Sequence, residues 1–245
     1  MGSWSKRARE AISFAAEAAA ETLWPTRCAI CDVPGAVLCD ECAGELPYLD
    51  WWRACSRCGS PYGRVQCDAC NPISLALIGR DDLPFAACAS AVMFSPEVSR
   101  LVRVFKDQGE QRLAAVMAGL MLRALPPGWS IDAVTYVPAT LAAARHRGFD
   151  HAELIAREVA SGLGAPCEMM LARPRNRDQR GLSGKQRIEN LAGRFAPLET
   201  ESGFRPQRVL LVDDVYTTGA TLCAATDALI DAGVSEVRCL TFARV

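Results

Sequence analysis

The chain has 245 residues, half of them apolar and 22% charged, with a formal net charge of −1. That length has room for one medium domain and a small one, and the composition excludes general disorder. The near-balance of charge excludes a global pull toward nucleic acid or membrane, so any nucleic-acid binding must come from a local patch.

Residues 5–23 are rich in Ala and Glu and predict a helix of modest amphipathicity closed by Pro25, giving an N-terminal helical segment over 1–27. Its basic start, Lys6-Arg7-Ala8-Arg9, is followed by Glu10, Glu17 and Glu21, so no uncharged apolar core of a secretory signal is read there. No run approaches the roughly 20 apolar residues of a membrane span. A cytoplasmic, reducing location is therefore expected.

Eight of the twelve cysteines follow in four C-x-x-C pairs: Cys28/Cys31, Cys39/Cys42, Cys55/Cys58 and Cys67/Cys70. In a reducing compartment such pairs read as metal ligands rather than disulfides. Each pair supplies half of a tetrahedral zinc site, so four pairs predict a double zinc-ribbon module over 28–72 with two structural Zn²⁺ ions. Sequence order suggests that the first pair joins the second and the third joins the fourth. A crossed pairing, a single metal site and a redox role remain as alternatives. Trp51, Trp52, Arg53, Arg57 and Arg64 are the residues of this module suited to nucleic acid. Residues 71–84, with Pro72, Gly79, Asp81, Asp82 and Pro84, read as a linker.

A domain over 85–245 then alternates strand and helix. Strands are predicted at 86–94, 131–137, 166–171, 208–212 and 237–243. Helices are predicted at 97–105, 111–125, 152–162 and 220–232. That order implies an open, mostly parallel sheet with helices on both faces, whose ligands bind beyond the carboxyl ends of the strands.

The most informative stretch is Val209-Leu210-Leu211-Val212-Asp213-Asp214-Val215-Tyr216-Thr217-Thr218-Gly219-Ala220-Thr221. An apolar strand ends in two carboxylates, then a hydroxyl-rich turn leads into a helix. Carboxylates there can accept hydrogen bonds from a ribose diol, and the N–H groups and hydroxyls of Thr217 to Thr221 can hold a phosphate at the positive end of a helix dipole. Gly219 allows close backbone approach. A second candidate follows the strand 131–137, where Arg145 and Arg147 could neutralise a diphosphate. The histidines, His146 and His151, receive no role. A third stretch, 173–194, has seven basic residues (173, 175, 177, 180, 185, 187 and 194) against Asp178 and Glu189. It suits either a flap over polyphosphate, with Arg187 as a candidate, or a strip tracking single-stranded nucleic acid, with Arg173, Arg175 and Arg177 as candidates.

The 209–221 stretch resembles the 5-phosphoribosyl-1-pyrophosphate (PRPP) signature of type I phosphoribosyltransferases. Members resembling the hypoxanthine–guanine type carry an aspartate base where this chain has Thr217, which cannot take a proton at neutral pH. The whole set of motifs resembles the ComF family, which is associated with natural competence. The matching residues are the four cysteine pairs with Leu46-Pro47 and Cys58-Gly59, Phe105-Lys106-x-x-Gly109, Arg145-x-Arg147-Gly148-Phe149, Gln179-x-x-Leu182-Ser183 with Arg187 and Asn190, the PRPP stretch, and Thr241-Phe242-Ala243-Arg244. Asp150-His151 and Tyr136-Val137-Pro138-Ala139 depart from the family's usual residues. The resemblance implies a type I phosphoribosyltransferase-like fold behind a zinc-ribbon module, and a PRPP pocket working with Mg²⁺. It also implies a cytoplasmic role with incoming single-stranded DNA and competence helicase-type partners. An enzyme of nucleotide or nucleoside metabolism with an unidentified acceptor is the alternative, so whether the chain transfers a ribosyl group stays open.

Overall fold

Short runs of Val, Leu and Ala build the sheet in a computed structural model that describes residues 25–174, 195–200 and 203–245. Two short helices come first, α1 (Asp40–Gly44) and α2 (Pro72–Ala76). The strands are β1 (Ala87–Met93), β2 (Ala133–Tyr136), β3 (Arg208–Tyr216) and β4 (Glu236–Arg244). All pair in parallel, in the order β1-β4-β3-β2. Parallel pairing needs crossovers, and here they are helical. Helices α3 (Pro96–Asp107) and α4 (Leu113–Ala124) follow β1; α5 (Leu141–Arg147) and α6 (His151–Leu163) follow β2; α7 (Ala220–Asp231) joins β3 to β4.

Local chemistry starts and stops these helices. Ser95, Thr140 and Asp150 cap α3, α5 and α6 through their side-chain oxygens, while Gly148 and Gly164 end α5 and α6 in the left-handed conformation. Val209, Leu211, Val237 and Cys239 cluster with Leu222, Cys223 and Leu229 of α7. Leu210 and Val212 alternate with them and are fully buried on the other side, where α4 and α6 pack on each other and on the strands.

The chain divides between Glu45 and Leu46 into two compact units. Cys28, Cys31, Cys39 and Cys42 lie in the first. The second holds Cys55, Cys58, Cys67 and Cys70 together with the sheet.

Four expectations differ from the structure in detail. The motif strand does not stop at Val212: pairing of Asp213 with Thr241 and of Tyr216 with Arg244 carries β3 through both acids. Residues 166–171 form only isolated bridges, Val134 with Cys167 and Leu171 with Pro197, so the sheet of the described residues has four strands. The stretch read as a linker contains α2, and its Leu75 and Leu83 are buried in the core cluster that also takes in Phe85. Arg145 and Arg147 stand on helix α5 rather than on a loop, because Thr140 caps a run of three alanines. No helix of the described residues is long and apolar enough to cross a membrane.

Candidate functional site

Strand β3 delivers two buried carboxylates, and α7 begins directly after the turn that follows. Asp213 Oδ1 accepts the backbone N–H of Asp214 at 2.9 Å. The Lys106 ammonium at the end of α3 pairs with Asp214 Oδ2, and His151 Nε2 at the start of α6 lies 3.8 Å from Asp214 Oδ1. Burial lifts the Asp213 carboxyl well above its ordinary pKa, and the Asp214 charge adds to that. Burial would lift Asp214 as well, but Lys106 and His151 prevail and hold it below the usual range. His151 is lowered by burial, against the pull of Asp214. These directions favour a pair that carries its negative charge on Asp214.

The turn after the acids presents hydroxyls and backbone N–H groups that an anion could use. Thr217 and Thr218 are exposed, Gly219 is left-handed at φ 79° and is the N-cap of α7, and Thr218 Oγ1 accepts from Ala220 N–H at 3.4 Å. Gly219 brings no side-chain cap to the first turn. A Cβ at Gly219 would stand 2.3 Å from Tyr216 Oη, so the loop lies directly on that ring. The first turn of a 12-residue helix, aimed at exposed hydroxyls beside buried acids, suits a phosphomonoester on a polyol.

Of the diphosphate candidates, Arg147 joins this cluster: Nη1 is 3.4 Å from His151 Nδ1, and Nη2 is 3.6 Å from Asp107. Arg145 is exposed on α5. Arg187 lies outside the described residues, as do Arg175 and Arg177. Arg173 is committed locally. Its guanidinium pairs with the fully buried Asp150 carboxylate, donates to Ala139 O at 3.2 Å and lies 3.8 Å from Glu153. Asp150 also accepts from Ala139, Ala152 and Glu153 N–H, so it ties the turn after β2 to the start of α6. Several aromatic and basic residues of the cysteine region are likewise engaged: Arg57 with Asp82 at 2.6 Å, Arg64 with Trp52 O at 2.8 Å, and Arg53 over the Tyr62 ring.

Two cysteine tetrads, Cys28–Cys31–Cys39–Cys42 and Cys55–Cys58–Cys67–Cys70, each bring four sulfurs within 4.8 Å of one another. Pairing follows sequence order, and the crossed arrangement is not adopted. Sulfur separations of 3.7 Å (Cys31–Cys39), 3.7 Å (Cys55–Cys70) and 3.5 Å (Cys58–Cys67) match the edge of about 3.8 Å expected for a tetrahedron with 2.3 Å Zn–S bonds. Backbone N–H groups aim at the sulfurs as well. Burial would raise Cys28 and Cys67, yet hydrogen bonds from Cys31 and Cys39 bring Cys28 to about 6, and those from Ala69 and Cys70 bring Cys67 to about 7. The donor sets therefore fit Zn²⁺, with four sulfurs available to fill a tetrahedral site. His151, Asp213 and Asp214 form a third group of ligand atoms within 4.8 Å; its carboxylates offer hard oxygens suited to Mg²⁺ shared with a phosphorylated ligand.

Sequence reasoning missed Lys106 and His151. Lys106 stood in the Phe105-Lys106-x-x-Gly109 motif, next to the buried positions Val98, Leu101, Val102 and Phe105 of an amphipathic helix. That was the available signal, but only packing shows which carboxylate it meets.

The parallel four-stranded sheet with helical crossovers is a phosphoribosyltransferase-like α/β fold. A family model described as "Phosphoribosyl transferase domain" matches residues 150–245. Over most of its length the chain is similar to competence-named and DNA-utilization proteins, in line with the resemblance its motifs carry. It is 27% identical to "Competence protein F" of Haemophilus influenzae over 222 residues, covering 84% of this chain and 90% of that protein. It is 27% identical to "DNA utilization protein YhgH" of Salmonella typhi over 230 residues, covering 87% and 95%. A shorter match of 69 residues is 39% identical to "Competence protein ComFC" of Streptococcus pneumoniae, covering 28% and 31%. Among solved structures, adenine phosphoribosyltransferase from Leishmania donovani matches at 16% identity with a TM-score of 0.30, over 56% of this chain and 53% of that one.

Proposed function

We propose that the chain binds PRPP or a related 5-phosphoribosyl compound with Mg²⁺, and assists the handling of incoming single-stranded DNA in natural transformation. The observation that carries the first half is the placement of exposed Thr217 and Thr218 and left-handed Gly219 between two buried acids and the first turn of α7. In this reading Thr217 to Thr221 surround the 5′-phosphate. Asp213 and Asp214 take the ribose hydroxyls or a Mg²⁺-bound water, and Mg²⁺ itself neutralises phosphate charge. Arg145, Arg147 and Arg187 are the residues for the pyrophosphate end. Lys106 holds the Asp214 carboxylate in its charged form until the ligand arrives. Titration calorimetry with Mg²⁺ and PRPP, comparing wild type with the double variant Asp213→Asn/Asp214→Asn, tests the pocket. Strong loss in the variant is expected, and equal binding by the two proteins refutes the assignment.

The second half draws on the competence and DNA-utilization names of the relatives and on the basic stretch 173–194. Because Arg173 neutralises buried Asp150, the informative substitutions are Arg175→Ala and Arg177→Ala together. Single-strand affinity should fall, and its salt slope should flatten by up to about 1.4, at roughly 0.7 per lost phosphate contact. An unchanged slope would remove this strip from the DNA reading. The match to the phosphoribosyltransferase family keeps a catalytic role in view, and Thr217 bars only the purine-type base. Release of pyrophosphate from PRPP on adding an acceptor would move the assignment to the enzyme.

A further inference from the structure

The last residues of β4 reach the second cysteine tetrad. Arg244 is 4% exposed, and its guanidinium donates to Cys58 O at 2.5 Å and lies 3.6 Å from Cys58 Sγ. Among the described residues no carboxylate pairs with it. The same guanidinium stacks over the Tyr216 ring, 4.0 Å from its centre, and the two residues are register partners across β3 and β4. Tyr216 in turn lies under Gly219, where an added Cβ would meet its Oη at 2.3 Å and its Cζ at 2.6 Å. A continuous line of contacts thus runs from a metal-type sulfur to the turn that receives the phosphate. The knuckle at its start is held closely: Cys88 N–H donates to Arg57 O at 2.7 Å, and a Cβ at Gly59 would stand 2.6 Å from Cys88 O.

We propose that metal occupancy of the Cys55–Cys58–Cys67–Cys70 tetrad sets the phosphate loop, with Arg244 and Tyr216 as the positioning residues that join the two. The physical reason is the position of Cys58 Sγ, which a bound metal would fix. A ligated thiolate is fixed in place and gives the guanidinium a charged acceptor, which holds the cation over Tyr216 and the ring beneath Gly219. Without metal the four sulfurs lose their common centre, and the buried cation must find other partners at the expense of the ring beneath the loop. The inference rests on the phosphoribosyl reading of the loop.

Linkage provides a test that needs no variant. If metal strengthens phosphate binding, bound phosphate must strengthen metal binding by the same factor. Zinc-loaded full-length protein is titrated with a colorimetric chelator, with and without saturating ribose 5-phosphate. One of the two zinc ions should be held tighter by about fivefold or more in the presence of the sugar phosphate, the other unchanged. Arg244→Ala and Tyr216→Ala should each abolish the shift, while Tyr216→Phe, which keeps the stacked ring, should retain it. Identical chelator curves for a wild type that binds ribose 5-phosphate overturn the coupling and leave the proposed pocket standing. Failure of zinc-loaded wild type to bind either ribose 5-phosphate or PRPP removes the pocket and the coupling together.

Discussion

The two cysteine tetrads have the same motif and different surroundings. The first is built from its own turns: Cys28 N–H donates to Val33 O, Asp32 N–H to Cys28 O, and Cys39 N–H points to Cys28 Sγ, all within a stretch of a dozen residues. The second sits in the core cluster that includes Leu75, Phe85, Cys88 and Tyr216, and one of its sulfurs faces a buried arginine from the end of the chain. A C-x-x-C pair specifies local ligand geometry. What the metal then holds together depends on which elements pack around it, and that is a long-range property.

Substitution at one cysteine of each tetrad should separate the two most sharply. Cys58 is fully buried, so Cys58→Ala removes a ligand, a core contact and the sulfur that faces Arg244. Loss of stability of about 4 kcal/mol or more is expected, read as a fall of the main calorimetric transition. Cys31 is exposed, and Cys31→Ala should release zinc while leaving that transition nearly in place. Equal falls for the two variants would erase the distinction.

A smaller effect probes the loop at the end of the second tetrad's contacts. Gly219→Ala forces a side chain into a left-handed position and against Tyr216, and should cost about 1–2 kcal/mol. Ribose 5-phosphate binding should weaken in the same variant while both zinc ions remain bound. Tight binding by the variant would show that the loop tolerates displacement of the ring.

The smallest effect lies at the opposite end of β3 and provides a baseline. Asp132 accepts from the Arg208 side chain and from the backbone N–H groups of Arg208 and Gln207, and its carboxyl is held down to about 2. A depressed folded-state pKa contributes stability that is complete above the unfolded value near 4 and is lost as pH falls toward 2. Asp132→Asn should flatten the acid limb of thermal stability within that window only. The pair is exposed, so the change should be slight, and a shift at neutral pH would contradict the assignment.

Much of this was legible because the signals are local. Alternating apolar runs and turn residues located all four strands and the major helices. Cysteine spacing located two metal-type sites and suggested pairing in sequence order, while only the structure set aside the crossed pairing. The Asp-Asp-x-Tyr-Thr-Thr-Gly stretch marked the turn where the structure sets two buried acids, two exposed hydroxyls and a left-handed glycine at the start of α7. The C-terminal end of β3, the short helix under Arg145 and Arg147, and the burial of Leu75 and Leu83 were not legible. Strand ends follow from a partner's register, and burial follows from neighbours that are remote in sequence.

Residue type and spacing alone determined which groups gather: carboxylates and hydroxyls around the turn after β3, and thiolates in two tetrads that could hold zinc. Tertiary structure decided the partners. It placed Lys106 and His151 on Asp214, Arg173 on Asp150, and Arg244 between Cys58 and Tyr216. The physical reason is burial. A charged group removed from water must be neutralised or hydrogen-bonded, and in a parallel sheet the groups that meet this need come from strands and helices far apart along the chain.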